Sequence, residues 1–142
     1  MIEIVLLGRP RGKERPRANT QTGAVYTPEK TREYEAALKY AAMQVMGDRP
    51  PLQGPLEVDI TIRRPIPQSW PKKKQEAARS GTLRPTTKPD FDNYAKTVDA
   101  LNLVVWVDDG QIVDGRVRKF YSDKPGMWIK VEQIDPEEGI FG

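Results

Sequence analysis

Thirteen prolines and eleven glycines stand among 142 residues, unusually many breakers, and they cut most of the chain into short pieces. What survives between the breakers reads as a succession of short elements. Met1 to Leu7 alternates as a strand, with Ile2, Ile4 and Leu6 on one face and Glu3 on the other. Residues 8–30 hold three prolines, three glycines and a dense basic cluster, which predicts an irregular arm. Tyr34, Leu38, Ala41, Ala42 and Val45 fall near helical spacing, so Thr31 to Met46 is expected to be a helix, stopped at Gly47. Leu56 to Ile62 alternates as a strand that the following RRPIP breaks. SWPKKKQEAARSG predicts a short polar helix ended by Gly81, and residues 82–93 read as extended or turning chain.

A second helix is expected from Asn93 to about Asn102, burying Tyr94, Val98 and Leu101. VVWVDDGQ then reads as a short strand running into an acidic turn. Val113–Tyr121 and Met127–Ile134 read as a closing hairpin around SDKPG, with Trp106 and Trp128 in the core. There is no internal repeat and no interdomain linker. The expected architecture is α+β: a single compact domain over residues 1–142, with a mixed sheet of about four or five strands and two main helices. At this size such a domain buries roughly two-thirds of its unfolded surface. The apolar opening MIEIVLLG is too short for a signal sequence and no run approaches the ~20 residues of a membrane span, so a cytoplasmic protein is expected.

The chain has no histidine and no cysteine. Ser-His-Asp and Cys-His nucleophile systems are therefore excluded, as are disulfides and zinc sites of cysteine and histidine. Any catalysis falls to carboxylates, lysine, tyrosine or water. The net charge of +3 hides an asymmetry: residues 1–88 carry 17 Lys/Arg against 9 Asp/Glu, and residues 89–142 carry 6 against 11. Basic surface beside clustered carboxylates suits a metal-dependent enzyme acting on a polyanion. A solvated charged surface accounts for the same counts.

Two acidic motifs flank the second expected helix. In Pro89-Asp90-Phe91-Asp92-Asn93-Tyr94-Ala95-Lys96, extended chain would turn Asp90 and Asp92 to one side, roughly 6.5 Å apart along the backbone. Lys96 lies four residues after Asp92, within reach across one helical turn. Such oxygen ligands suit Mg²⁺ or Mn²⁺; alternatively, Asp92 caps the helix and pairs with Lys96 at the surface. Asp108 and Asp109 end the apolar VVWV run, where only one of two adjacent strand residues can join the first pair. Asp-Asp-Gly is also ordinary turn chemistry. Asp108 is expected to be structural or to support the site from behind its carboxylates, and Asp114 to be structural. Arg9, Arg11, Lys13, Arg15 and Arg17 recur at every second residue, so an extended arm would present them along one edge to phosphates. Lys72, Lys73 and Lys74 form a second basic cluster near Trp70, a candidate stacking side chain; a disordered arm and a solvated helix face are the plain alternatives.

PDFDNYAK, VDAL and WVDDGQIVDGRV together resemble the RusA family of Holliday junction resolvases, many of them phage-encoded. The family pattern D-x-D-N-x-x-K, D-x-L, D-D-x-Q-[VI] is matched by Asp90, Asp92, Asn93, Lys96, Asp99, Leu101, Asp108, Asp109, Gln111 and Ile112. The family's K-x-R-P-R stretch and Y-T-P turn are matched by Lys13, Arg15, Pro16 and Arg17, then Tyr26, Thr27 and Pro28. The resemblance implies a dimeric, Mg²⁺-dependent endodeoxyribonuclease of bacterial or phage origin that nicks four-way junctions in recombination and repair, with Mn²⁺ a possible substitute. It further implies that Asp90, Asp92 and Asp109 are the catalytic, metal-holding carboxylates and Lys96 the catalytic lysine. DNA contacts are expected from Lys13, Arg15, Arg17, Lys72, Lys73 and Lys74. Competing readings are a non-catalytic DNA- or junction-binding protein, and a metal nuclease acting on flaps or RNA. One departure concerns the helix end, where the family often has glycine after the asparagine and this chain has Asn102-Leu103; Asn102 is expected to take the left-handed cap itself.

Overall fold

The computed structural model describes residues 1–134, so the last eight residues of the domain expected over 1–142 lie outside the described residues. The N-terminal alternation forms β1 (Ile2–Leu7), which buries Ile2 and Ile4 and exposes Glu3. The arm that follows is irregular except for a small antiparallel pair, β2 (Arg17–Ala18) and β3 (Val25–Tyr26). Helix α1 (Glu29–Met46) starts two residues earlier than the pattern indicates, directly after Pro28. Thr31 is buried inside the first turn. Its apolar stripe runs through Leu38, Ala42 and Met46, with Tyr34 and Ala41 partly buried, while Val45 turns outward. Gly47 ends the helix at φ 56°, a conformation that costs glycine little.

Strand β4 (Leu56–Pro65) runs through the expected break, carrying Arg63 and Arg64 in the sheet. Helix α2 (Lys72–Ser80) is closed by Gly81 in the left-handed region, as its sequence indicates. Strands β5 (Ile112–Ser122) and β6 (Gly126–Gln133) complete a four-stranded sheet of order β1-β6-β4-β5. The expected hairpin is not formed, because β4 lies between β5 and β6. Ile60 stands opposite Val117 in a parallel pair and opposite Ile129 in an antiparallel one. The reason lies in the patterns. Leu56, Val58, Ile60 and Ile62 are all buried, which suits a central strand, whereas β5 carries Arg116, Arg118 and Lys119, as an edge strand should.

The core packs α1 and the segment 94–106 onto the face bearing Ile4, Ile60, Met127, Ile129 and Val131. Tyr94, Val98 and Leu101 are buried as expected, but their helix has two parts: α3 (Phe91–Ala95), then a 3-10 helix over Lys96–Leu101. The three-residue spacing of Val98 and Leu101 fits the tighter 3-10 turn, and the Thr97 hydroxyl donates to the Tyr94 carbonyl at 2.6 Å.

Val104–Trp106 is not a strand. It is a compact turn with single bridges from Trp106 to Leu52 and Asn102, and it buries Val105 and Trp106 completely. Apolar runs this short do not distinguish a strand from a buried turn by periodicity. Trp128 departs from expectation by lying half-buried on the opposite sheet face, beneath the Arg63 guanidinium at 4.2 Å.

The left-handed residue at the helix end is Leu103, at φ 68°, while Asn102 has φ −58°. Leu103 is 74% exposed, so its side chain gains little packing against a backbone cost of roughly 1–2 kcal/mol. Leu103→Gly is therefore expected to hold or raise stability by up to about 1 kcal/mol, read as a thermal midpoint shifted upward by a few degrees. A midpoint lowered by several degrees would count against the strain.

Candidate nuclease site

The basic arm and the first acidic motif meet. Gly12, Lys13, Glu14 and Arg15 line one side of an open cleft, and Lys88, Pro89, Asp90, Asp92 and Asn93 line the other. At about 550 Å³ it falls in the ~300–1,000 Å³ range of ligand clefts. Backbone and side chain fasten the two walls: the Lys13 amide donates to the Asn93 carbonyl at 2.8 Å, and Asn93 Nδ2 donates to the Lys13 carbonyl at 3.0 Å. Asn93 Oδ1 in turn accepts from the Asp90 amide at 3.3 Å. Asn93 thus ties the arm to the start of α3.

Glycine is required where the walls touch. A Cβ on Gly12 would lie 2.6 Å from Pro89 Cβ and 2.9 Å from Asn93 Cβ. Gly12→Ala should cost about 1–3 kcal/mol by forcing the walls apart, and should lower the thermal midpoint by roughly 4 °C or more. An unchanged midpoint would mean that the arm yields freely.

Asp90 and Asp92 reach the cleft by a different geometry from the extended chain expected. Asp90 occupies the N-cap of α3 in extended conformation and Asp92 lies in the first helical turn, so Asp90, not Asp92, is the cap residue. Both carboxylates are exposed. Lys96 Nζ stands 3.7 Å from Asp92 Oδ2, with both side chains largely in solvent. That pair contributes a few tenths of a kcal/mol, which leaves the ammonium free to serve another anion.

Asp109 does not line this cleft. It opens a 3-10 turn over Asp109–Gln111, and its Oδ1 accepts from Asn102 Nδ2 at 3.3 Å, while Asn102 Oδ1 accepts from Trp106 Nε1 at 2.7 Å. Among the described residues, no three carboxylates stand together closely enough to hold a metal ion. Asp90 and Asp92 supply two hydrated carboxylates on one wall, a donor set that fits Mg²⁺, which binds through one or two carboxylates and keeps several waters. Asp108 accepts from the Gly110 amide at 2.9 Å, which closes the turn that follows it. Asp114 is exposed on β5, in register with Glu57.

The basic residues divide by environment. Lys13 does not stand free: its Nζ lies 2.8 Å from Asp99 and 3.2 Å from Glu35. Burial alone would lower its pKa, but the hydrogen bonds and charges of Asp99 and Glu35 outweigh that and hold it above the ordinary lysine value. Arg15 is exposed on the cleft, and Arg17 is exposed with a 2.9 Å contact to Glu14. Lys72, Lys73 and Lys74 are exposed on α2, with Lys74 stacked 4.1 Å over Trp70. Trp70 also packs edge-on against Tyr121, which partly buries it.

A family model described as "Endodeoxyribonuclease RusA" matches residues 8–132. The chain belongs to the RusA endodeoxyribonuclease family. The uncharacterized protein YqaN of Bacillus subtilis (strain 168) is 39% identical over 140 residues, covering 94% of this chain and 96% of that protein. The RusA match takes in both walls of the cleft and the Asp108–Gln111 turn.

Sequence reasoning gave no role to several residues that build this site. Gln111 Oε1 accepts from the Val107 and Asp108 amides, both at 2.9 Å, and Gln111 Nε2 donates to the Leu52 and Gly54 carbonyls, both at 3.0 Å. It therefore anchors the acidic turn to the chain before β4. Asn93 and Gln111 were visible as RusA pattern positions, but partners 80 and 57 residues away are not. Lys119 was also missed. Its Nζ donates to the Thr87 and Pro89 carbonyls at 3.0 and 3.1 Å; burial and then Arg64 lower its pKa, with Asp90 opposing.

Proposed function

We propose that this RusA-family chain is a Mg²⁺-dependent endodeoxyribonuclease that resolves four-way DNA junctions in recombination and repair. The observation that carries this reading is the open cleft that Asp90 and Asp92 line together with Arg15 of the N-terminal arm. Asp90 and Asp92 would hold the ion, with Asp109 as a third carboxylate carried by the Asn102-linked turn. A divalent ion, Mg²⁺ or Mn²⁺, supplies water activation and neutralisation of phosphate charge when bound.

The chain's own groups do the rest. Arg15, on the opposite wall, is suited to seat a backbone phosphate. Lys96, beside Asp92, offers its ammonium to the charge that develops on the phosphate oxygens. Lys13 is neutralised by Asp99 and Glu35, so we assign it to holding the arm rather than to contacting DNA. Arg17 and the α2 lysines Lys72, Lys73 and Lys74 extend the phosphate-binding surface. No described helix is long and apolar enough to cross a membrane; a cytoplasmic setting, with the protein encoded by a bacterium or a phage, accords with a DNA substrate. Paired nicks at a symmetric junction need two sites related by a two-fold axis, hence a homodimer.

The test is cleavage of labelled four-way junction, linear duplex, flap and RNA by the purified chain, with Mg²⁺ or with chelator. Nicking of the junction in preference to the others, only with the ion, is expected. Binding without nicking would leave a junction-binding protein, and preference for flap or RNA would change the substrate. Sedimentation should give a dimer at working concentration; a monomer with and without junction would remove symmetric nicking.

A further inference from the structure

Lys119 is out of place by its pattern. It stands opposite Ile62 in the parallel β4–β5 ladder, on the face that carries Val117 and the buried β4 residues. An ammonium directed to that side costs desolvation unless its donors are used, and two of the three are used by main-chain oxygens, Thr87 O and Pro89 O. Neighbouring β4 reaches the same segment. Arg64 Nη1 lies 3.3 Å from Thr87 O and 3.1 Å from Thr87 Oγ1. Arg84 adds a tie in the reverse direction, donating from Nε to the Lys119 carbonyl at 2.8 Å while stacking 3.9 Å over Phe120.

These contacts converge on residues 84–89, which form no helix or strand and lead directly into Asp90. Pro85 and Pro89 have no amide proton, and no amide of residues 84–89 donates to another described main-chain group outside the regular elements. Among the described residues, its ties to the sheet are made by the cationic side chains of Arg64, Lys119 and Arg84. We infer that Lys119, assisted by Arg64, is a positioning residue that fixes the Asp90 carboxylate by holding the backbone just before it. The consequence for cleavage rests on the nuclease reading of Asp90; the positioning itself does not.

The experiment compares Lys119→Met, which keeps much of the stem and removes the donors, with Lys119→Arg, which restores charge and donors. Amide hydrogen exchange over residues 90–94, measured without metal or DNA, is the first readout. Exchange should rise about tenfold in Lys119→Met and return to within about threefold of the parent in Lys119→Arg. The second readout is the Mg²⁺ concentration giving half-maximal junction cleavage. It should rise about tenfold in Lys119→Met while the rate at saturating metal falls less than about threefold. Unchanged exchange in a folded Lys119→Met protein, or no recovery with arginine, overturns the inference. If Lys119→Met does not fold, Arg64→Met is read instead: a rise of about threefold in the same exchange supports the inference and no rise overturns it. Loosened exchange in a protein whose parent cuts no branched DNA would uphold the positioning role and remove the nuclease reading alone.

Discussion

Asp92→Asn is expected to reduce junction cleavage by about a thousandfold or more while leaving junction affinity within about threefold of the parent. The side chains are isosteric, and Asp92 is exposed in the first turn of α3, so the fold has little to lose. Its 3.7 Å pair with Lys96 is solvated and worth a few tenths of a kcal/mol. What disappears is one of two charged oxygen donors on the cleft wall. Loss of a group that acts on developing charge typically costs 10²–10³ in rate, and loss of a ligand to the ion adds the ion's own contribution. Removing a negative charge from a surface that meets a polyanion cannot weaken binding electrostatically, so the two measurements should separate. Single-turnover cleavage of a labelled junction and gel-shift titration without Mg²⁺ check them. Metal-dependent cutting at the parental rate in purified Asp92→Asn protein would remove Asp92 from the site. Asp90→Asn makes a matched comparison, because asparagine caps helices as well as aspartate does; its loss of cutting should likewise come without loss of stability.

The residues proposed to act were more legible in the sequence than the scaffold that presents them. The missing histidine and cysteine left carboxylates, lysine, tyrosine and water as the chemical groups, and the resemblance to the RusA pattern pointed to Asp90, Asp92, Asp109 and Lys96 among them. The register of Lys96 with Asp92 followed from one helical turn. Local punctuation was equally readable: Gly47 and Gly81 end the helices they follow. Pairing was not. A strand's sequence reports which side chains are buried, not which neighbour it has, so β5 and β6 looked like a hairpin although β4 lies between them. The VVWV run failed for a related reason, since complete burial of Val105 and Trp106 serves a turn as well as a strand. Asn102 shows how a correct local rule can be misapplied by one position. Asparagine tolerates the left-handed region, yet here its side chain is committed to Trp106 and Asp109, and Leu103 takes the strained backbone instead. Lys13 illustrates the remaining limit: five basic residues at every second position look equivalent until Asp99 and Glu35, distant in sequence, neutralise one of them.

That inequality shapes the second large effect. Arg15→Ala with Arg17→Ala should weaken junction binding by about a hundredfold near 0.1 M salt and reduce the salt dependence by nearly two units of slope. Each phosphate contact releases condensed counterions and contributes about 0.9 to that slope, so two lost contacts give about 1.8. Arg15 is exposed on the cleft wall opposite Asp90 and Asp92. Arg17 begins β2, which pairs with β3 and gives this part of the arm a fixed backbone. Its contact with Glu14 is no obstacle: an exposed pair of this kind is worth at most about 1 kcal/mol, less than a guanidinium gains on a phosphate that it meets bidentately. Lys13→Ala should behave differently. It leaves Asp99 and Glu35 without their shared cation and loosens the arm, so stability should fall while the salt slope changes little. Affinity titrations of a labelled junction from 50 to 200 mM salt, without Mg²⁺, separate these outcomes. A double-arginine variant with the parental slope would take the arm off the phosphate backbone, and an equal loss of slope from Lys13→Ala would mean that its two carboxylates release it to DNA.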